Sequence, residues 1–200
     1  MGKRGEFILE AAGRAVLVGF YALMLWSAAR GFLAQRQPGI LLYIILDSLV
    51  MGFALLRNPA ARLSLSPVDW LVALVPTLLP FFISGGGADV AGMAVQYLGA
   101  MILVGGVVSL NSSIGIVAAD RGIKTKGLYK IIRHPLFFGY ITANIGVLLG
   151  NFSRYNLLCV GGGSLFQLVR IFREEKFLSA NPVYQSYKLQ TRWRLLPGIW

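Results

Sequence analysis

The stretch ADVAGMAVQYLGAMILVGGVVSL, residues 88–110, decides the fold, because it is apolar over almost its whole length. A helix crosses the hydrocarbon core of a bilayer with about 20 consecutive apolar residues. The segment FILEAAGRAVLVGFYALMLWSAARGFL, residues 7–33, has a similar length. These two segments predict two membrane-spanning helices. The short basic start, residues 1–6, has no cleavage site behind it, so we expect the first helix to be retained.

Four further apolar stretches lie at residues 39–56, 68–83, 136–149 and 155–172. The first and last of these approach the length of a span, whereas the middle two are short. Pro76 and Pro80 predict a kink in the second of them. The polar break at residues 151–154 predicts a tight helical hairpin. The pattern therefore predicts an all-α polytopic membrane bundle of five to six transmembrane helices.

Composition and charge agree with a membrane protein. The chain is 56% hydrophobic and 14% charged, and it carries 19 Lys and Arg against 8 Asp and Glu. Basic residues are dense in alternate connections, while the third connection, at residues 84–87, has none. This alternation predicts six spans with both ends in the cytoplasm, contact with anionic membrane lipids, and no nucleic-acid partner. One cysteine, Cys159, and one histidine predict neither a disulfide nor a metal site.

Ionisable residues inside the apolar runs are candidates for function, because a charge at membrane depth is costly. Glu10 and Arg14 are four residues apart, which predicts an ion pair between them on one helical face. We expect Asp47 to have a structural role, facing a neighbouring helix or a polar cavity. Arg170 lies one turn before Glu174 on the same side of a helix. A helix-end arginine that reaches the interface and a ligand contact both remain open for Arg170.

The segment GLYKIIRHPLFFGY, residues 127–140, is a basic and aromatic loop. Pro135 suits the first turn of a helix, which predicts that His134 lies at the helix entrance. Free backbone N–H groups at such an entrance favour anions and polar ligand groups. A membrane-interface anchor uses similar residues, so both interpretations stay open here.

The tail, residues 173–197, combines the pair Glu174 and Glu175 with spaced aromatic and basic residues. This composition predicts an amphipathic segment on the membrane surface, and a site could still be built beneath it. From Arg121 onward there are 12 Lys and Arg against two glutamates, which is nearly all of the excess charge. We therefore expect any chemistry in this half of the chain.

Together, these elements resemble the isoprenylcysteine carboxyl methyltransferase family and its bacterial relatives. The elements follow the family's order: RGIKTKGLY at 121–129, Arg133-His134-Pro135, Glu174-Glu175, then Tyr184, Tyr187 and the Arg-rich segment ending at Pro197. The resemblance covers about residues 111–200. It implies N-terminal transmembrane scaffold helices at residues 1–110 and a methyltransferase catalytic core at residues 111–200, integrated in one domain.

The resemblance also implies an S-adenosyl-L-methionine site on the cytoplasmic side, formed by the C-terminal half. The cofactor-binding residues would be Arg121, Gly122, Ile123, Lys124, Tyr129, His134, Pro135, Leu136, Phe137 and Glu174. Arg170 would bind the methyl acceptor, and Arg170 and Glu174 would be the catalytic residues. Phe137 stands where the family often has tyrosine, so a hydroxyl contact is absent there.

The expected reaction is methyl transfer to a lipophilic or lipid-modified acceptor, with a carboxylate as the receiving group. The expected location is a bacterial inner membrane, with several spans. A phospholipid amine methyltransferase is the main alternative; a sterol-reductase-like NADPH enzyme and a non-enzymatic transporter are further ones. The sequence predicts no oligomeric state.

Overall fold

The computed structural model describes residues 3–37, 39–83 and 89–200, and over these ranges the chain folds as seven α-helices. The helices are α1 (Lys3–Gln35), α2 (Ile40–Leu55), α3 (Pro67–Leu78), α4 (Val90–Leu110), α5 (Pro135–Gly150), α6 (Arg154–Leu178) and α7 (Pro182–Gln190). Two strands of two residues each, β1 (Arg62–Leu63) and β2 (Ala119–Asp120), pair antiparallel. The all-α prediction is confirmed. The predicted connection at residues 84–87, and the first two residues of the predicted basic start, lie outside the described residues.

The helix boundaries follow local sequence signals. Pro135 occupies the first turn of α5 and His134 is its N-cap, as predicted. Ser153 caps α6 by accepting a hydrogen bond from the Asn156 backbone N–H at 3.0 Å. The hairpin predicted from the polar break is confirmed, because α5 ends at Gly150 and α6 begins at Arg154. Helix α6 extends beyond the predicted apolar stretch and carries both glutamates.

The predicted kink in the third apolar stretch coincides with a change of helix type. Helix α3 ends at Leu78, and the chain continues as a 3-10 helix, Leu79–Phe82. Pro80 has no N–H to donate, so the α-helical hydrogen-bond pattern cannot continue through it. The helix type therefore changes between the two prolines, and the kink itself stays a prediction.

Two segments are long and apolar enough to cross a bilayer, by length and composition within the described residues. They are Glu10–Ala34, within α1, and Val90–Ser113, which contains α4. Helices α2, α3 and α5 are apolar but shorter, with 16, 12 and 16 residues. The two predicted long helices are confirmed, and a total of five or six spans stays a prediction.

Helices α4 and α5 pack at backbone distance along a glycine seam. The seam has a seven-residue spacing on each helix: Gly92, Gly99 and Gly106 on α4, and Gly139 and Gly146 on α5. A Cβ atom at Gly99 would lie 2.4 Å from the backbone nitrogen of Ala143. A Cβ atom at Gly146 would lie 2.4 Å from the backbone nitrogen of Gln96. Only glycine permits this approach, so the seam fixes the start of α5 against α4.

The C-terminal tail folds back onto the loop before α5. The backbone N–H groups of Arg133 and His134 donate to the carbonyl oxygens of Trp193 and Arg194, at 2.9 and 3.0 Å. Leu195 packs into a small core with residues of α5 and α6. The tail therefore packs on the protein through buried residues such as Leu195, while others such as Leu189 are exposed, and its place on the membrane surface stays a prediction.

Candidate functional site

A cavity of about 580 Å³ joins the basic loop to the interior of the helix bundle. This volume lies within the usual range of about 300 to 1,000 Å³ for sites of small molecules and cofactors. The predicted site residues that line it are Arg121, Gly122, Ile123, Lys124, Tyr129, His134, Leu136, Phe137, Arg170 and Glu174. Pro135 does not line the cavity; it is buried in the first turn of α5. The cavity thus brings together predicted site residues that are up to 53 positions apart in the sequence, from Arg121 to Glu174.

Three tyrosines form part of the polar end of the cavity. Burial raises the pKa of Tyr129, Tyr184 and Tyr187, so their hydroxyls stay protonated at neutral pH. The Tyr187 hydroxyl donates to the carbonyl oxygen of Tyr129 at 2.7 Å. The Tyr184 hydroxyl is buried and has no hydrogen-bond partner among the described residues. A buried hydroxyl normally has a partner, so Tyr184 can serve a ligand.

Glu175 holds the entrance of α5 together through three basic side chains. Its Oε1 lies 2.8 Å from Arg133 Nη1 and 3.2 Å from His134 Nε2, and its Oε2 accepts from Arg194 Nε at 3.0 Å. Burial raises the pKa of the Glu175 carboxyl, but His134 and the arginines outweigh it, and the net pKa is lowered. Glu175 is therefore ionised at neutral pH and orients the His134 ring that lines the cavity.

Glu174 and Arg170 both line the cavity, as their spacing of one turn predicts. Among the described residues, Glu174 forms no hydrogen bond or ion pair, in contrast to its neighbour Glu175. Arg170 donates to the carbonyl oxygen of Ile116, and its guanidinium lies 5.1 Å from the centre of the Phe137 ring. Its Nε is buried without a partner in the described part of the chain. Both side chains can therefore bind a ligand.

The predicted ion pair between Glu10 and Arg14 is wrong. Glu10 instead binds Arg57, with 2.9 Å between Oε1 and Nη2, and Arg121, with 3.0 Å between Oε2 and Nη2. Arg14 donates to the backbone oxygen of Arg57 at 2.9 Å. Helical spacing predicts contacts only between neighbours on the same helix, so it could not predict the contacts with Arg57 and Arg121. The Arg121 guanidinium is thus used to attach α1 to the loop that follows α4.

The N-terminal helices also contribute to the cavity wall. Tyr21 of α1 and Asp47 of α2 line it, and Asp47 is only 8% exposed. Asp47 therefore faces the cavity, which is one of the two surroundings expected for it, and its structural role stays a prediction. Sequence reasoning missed Tyr21, because no motif surrounds it. Within the described ranges, no group of three or more His, Cys, Asp or Glu side chains could hold a metal ion.

The fold and cavity define a class: helical proteins with long apolar helices and an interior cavity that is lined mainly by apolar residues and whose charged residues are mostly basic. Residues 91–180 match the family model of isoprenylcysteine carboxyl methyltransferase (ICMT), so this part of the chain is similar to that family. The resemblance drawn from the sequence is confirmed. The match runs from α4 to just beyond the end of α6. It therefore starts earlier than residue 111, and it ends before α7 and the Arg-rich segment, for which the resemblance stays a prediction. The family is membrane-embedded. No curated protein matches the chain.

Proposed function

We propose that the chain is an integral membrane S-adenosyl-L-methionine-dependent methyltransferase that acts on a carboxylate of a lipophilic, isoprenylcysteine-like acceptor. One observation carries the proposal. A single cavity is lined by Arg170 and Glu174, which have polar atoms without a partner among the described residues, and by the predicted loop residues. It also has an apolar extension between α1 and α2. A polar cofactor and a lipophilic acceptor can meet in such a cavity.

The polar end of the cavity fits the cofactor. S-adenosyl-L-methionine carries a methyl group on a positively charged sulfur and supplies it to a nucleophile. Glu174 is a carboxylate without an ion-pair partner in the described part of the chain, so it suits the cofactor's ammonium or hydroxyl groups. The Tyr184 hydroxyl is buried without a partner, and Tyr129 and His134 supply ring surfaces. Gly122 adopts a positive φ of 91° with open space where a Cβ would lie, which leaves its backbone accessible.

Arg170 suits the acceptor carboxylate. A guanidinium holds a carboxylate with two parallel hydrogen bonds, and Arg170 Nε is still available as a donor. The ring of Phe137 supports the guanidinium from one side. Because Arg170 and Glu174 are one turn apart on α6, the acceptor and the cofactor would lie side by side along one helix face.

With the cofactor held by Glu174 and Tyr184 and the acceptor by Arg170, the cofactor would supply its methyl group to the acceptor oxygen and leave as a thioether when its carbon–sulfur bond breaks. A carboxylate is already ionised at neutral pH, so the chain needs no general base. Positive sulfur and negative oxygen become a neutral thioether and a neutral ester. Exclusion of water by the apolar helices favours this loss of charge, and positioning by Arg170 supplies much of the rate. An amine acceptor fits less well, because a cation beside the attacking nitrogen disfavours a charged product.

The same proposal includes the arrangement in the membrane. Five to six helices span a bacterial inner membrane, and the loop before α5 faces the cytoplasm, where basic residues accumulate. Residues 1–110 form the scaffold and residues 111–200 the catalytic core. The anionic lipids of that leaflet would contact the basic loops.

The test combines cofactor binding with turnover in purified protein. S-adenosylhomocysteine binding is measured by calorimetry, and methyl transfer to N-acetyl-farnesylcysteine is followed with a radiolabelled methyl group. Arg170→Lys should reduce turnover at least about tenfold with nearly unchanged cofactor affinity, because lysine cannot hold a carboxylate with two hydrogen bonds. Arg154→Lys, on the same helix but outside the cavity lining, is the control.

Three results would contradict the proposal. If S-adenosylhomocysteine does not bind, the proposed cofactor is wrong. If the Arg170→Lys protein keeps full activity, Arg170 does not bind the acceptor carboxylate as proposed. A parallel loss of cofactor affinity in that variant moves Arg170 into the cofactor site.

A further inference from the structure

Two segments that are distant in the sequence both line the polar end of the cavity. Residues 121–124 belong to the loop after β2, and we call them the loop wall. Tyr184 and Tyr187 belong to α7, and we call them the α7 wall. Helix α7 has only nine residues, and so short a helix is held in place by contacts with other elements. The position of the α7 wall therefore depends on what α7 is bound to.

Asp120 contacts both segments through its side chain. Its Oδ1 accepts a hydrogen bond from the Gly122 backbone N–H at 3.2 Å, within the loop wall. Its Oδ2 accepts from Nδ2 of Asn181, the N-cap residue of α7, at 2.7 Å. Asp120 is 9% exposed and does not line the cavity. It therefore connects the two walls without itself reaching a ligand.

Asn181 uses both ends of its side-chain amide. Its Oδ1 accepts from the Val183 backbone N–H at 2.9 Å and so caps α7, while its Nδ2 donates to Asp120. The amide cannot turn over without losing both bonds, because only the oxygen accepts and only the nitrogen donates. Aspartate would cap α7 as well as asparagine does, but it would place a second carboxylate beside Asp120. The contact between the walls thus depends on the amide.

The loop wall is fixed to the rest of the protein from the other side. The backbone oxygen of Asp120 accepts from the Ala61 N–H at 2.8 Å, next to the pairing of β1 with β2. Arg121 binds Glu10 of α1. Since these contacts fix the loop, the bond from Asp120 to Asn181 determines where α7 lies relative to it. A hydrogen bond to a carboxylate is stronger than one between neutral groups, which suits this role.

Resting on the proposed function, we propose that Asp120 and Asn181 are positioning residues for the cofactor. Their hydrogen bond holds α7 at the distance from the loop wall at which both walls contact S-adenosyl-L-methionine. The Tyr184 hydroxyl, which is buried without a partner among the described residues, is then presented to the ligand. Neither positioning residue touches the cofactor, so both act on its affinity through the walls that they join.

The test exchanges the two side chains. Asp120→Asn keeps an oxygen for the Gly122 N–H but turns an NH2 group toward the NH2 group of Asn181. Asn181→Asp keeps the cap of α7 but brings two carboxylates together. The double variant restores the bond with donor and acceptor exchanged. In calorimetry in detergent, each single variant should bind S-adenosylhomocysteine about tenfold more weakly, and the double variant should return to within about threefold of the unmodified protein.

Two further variants separate positioning from general stability. Asp69→Asn is the matched control, because Asp69 is 6% exposed, binds Ser64 and Arg173, and does not line the cavity. It should lower the melting temperature yet leave the S-adenosylhomocysteine affinity of the folded protein within about twofold. Asn181→Ser caps α7 with a side chain too short to donate to Asp120, and it should weaken binding about as much as Asn181→Asp. It decides the question where an Asp120 variant does not fold.

Single variants that bind S-adenosylhomocysteine as tightly as the unmodified protein overturn the inference, and so does a double variant that binds as weakly as the singles. Equal weakening by Asp69→Asn also overturns it, because the effect would then follow from lost stability alone. In all these cases the unmodified protein still binds the cofactor product and the proposed function stands. Absence of binding in the unmodified protein, by contrast, overturns the proposed function and this inference together.

Discussion

Replacing Glu175 with glutamine should destabilise the protein, whereas the same change at Glu174 should leave its stability nearly unchanged. The two residues are adjacent on α6 and chemically identical. Glu175 is 6% exposed and binds Arg133, His134 and Arg194, while Glu174 lines the cavity. The pair therefore compares a carboxylate that is held in ion pairs with one that we propose binds the cofactor, within a single helical turn.

The expected magnitude follows from the partners. The Arg133 side chain is 9% exposed, and its Nη1 lies 2.8 Å from Glu175 Oε1. Removing one member of a buried ion pair costs about 3 to 5 kcal/mol, because the other charge stays buried. For a chain of this size each kcal/mol shifts the melting temperature by about 2 to 4 °C, so Glu175→Gln should lower it by about 6 to 20 °C. Glu174→Gln should change it by less than about 2 °C on the same scale.

The assay is thermal unfolding of both variants in one detergent, with and without saturating S-adenosylhomocysteine. Ligand should stabilise the unmodified protein, and that increase should be reduced in Glu174→Gln because the cofactor contact is lost. Glu175→Gln should melt early even without ligand. Equal melting temperatures for the two ligand-free variants would refute the assignment of separate roles. A full ligand shift in Glu174→Gln would refute its contact with the cofactor.

Three further outcomes are expected. His134→Ala should weaken S-adenosylhomocysteine binding about tenfold in calorimetry while the protein stays folded, because Glu175 keeps two arginine partners; unchanged affinity would contradict a place for His134 at the cofactor. The lowered pKa of Glu175 means that its ion pairs stabilise the fold above about pH 4.3, its unfolded pKa, and that this contribution disappears as the pH falls through the lower folded pKa. Melting temperatures between pH 3 and 7 should therefore fall more steeply in the unmodified protein than in Glu175→Gln, and parallel curves would contradict the pKa shift. Reporter fusions at the two ends of the chain should both report the cytoplasm, and opposite locations would favour an odd number of spans.

The helices and the position of the site could be predicted from local patterns. Apolar runs, Pro135 and the break at residues 151–154 each determine structure within a few residues, so the helix boundaries follow from them. The spacing of Arg170 and Glu174 likewise placed both on one helix face. These features depend on the geometry of a single helix, and sequence displays that geometry directly.

Contacts between distant segments could not be predicted in the same way. Glu10 pairs with Arg121 across 111 residues, and helical spacing suggested Arg14 instead. Of the two glutamates on α6, Glu175 is the one that forms the ion pairs. The adjacent basic residues Arg133 and His134 are the sequence feature that would indicate a carboxylate partner, but they do not indicate which glutamate it is. Adjacent residues on a helix point about 100° apart, so the choice between them depends on where the neighbouring loop and tail pack.

The glycine seam has a consequence for how a lipophilic molecule reaches the cavity. Helices in contact along their backbones cannot separate locally, because a gap between them would leave an unfilled space along several turns. Helices α4 and α5 must therefore move as one body, and no molecule can pass between them from the surrounding lipid. A lipophilic molecule therefore has to reach the cavity at a place other than the α4–α5 contact, and α1 and α2 are two other helices whose side chains line the cavity.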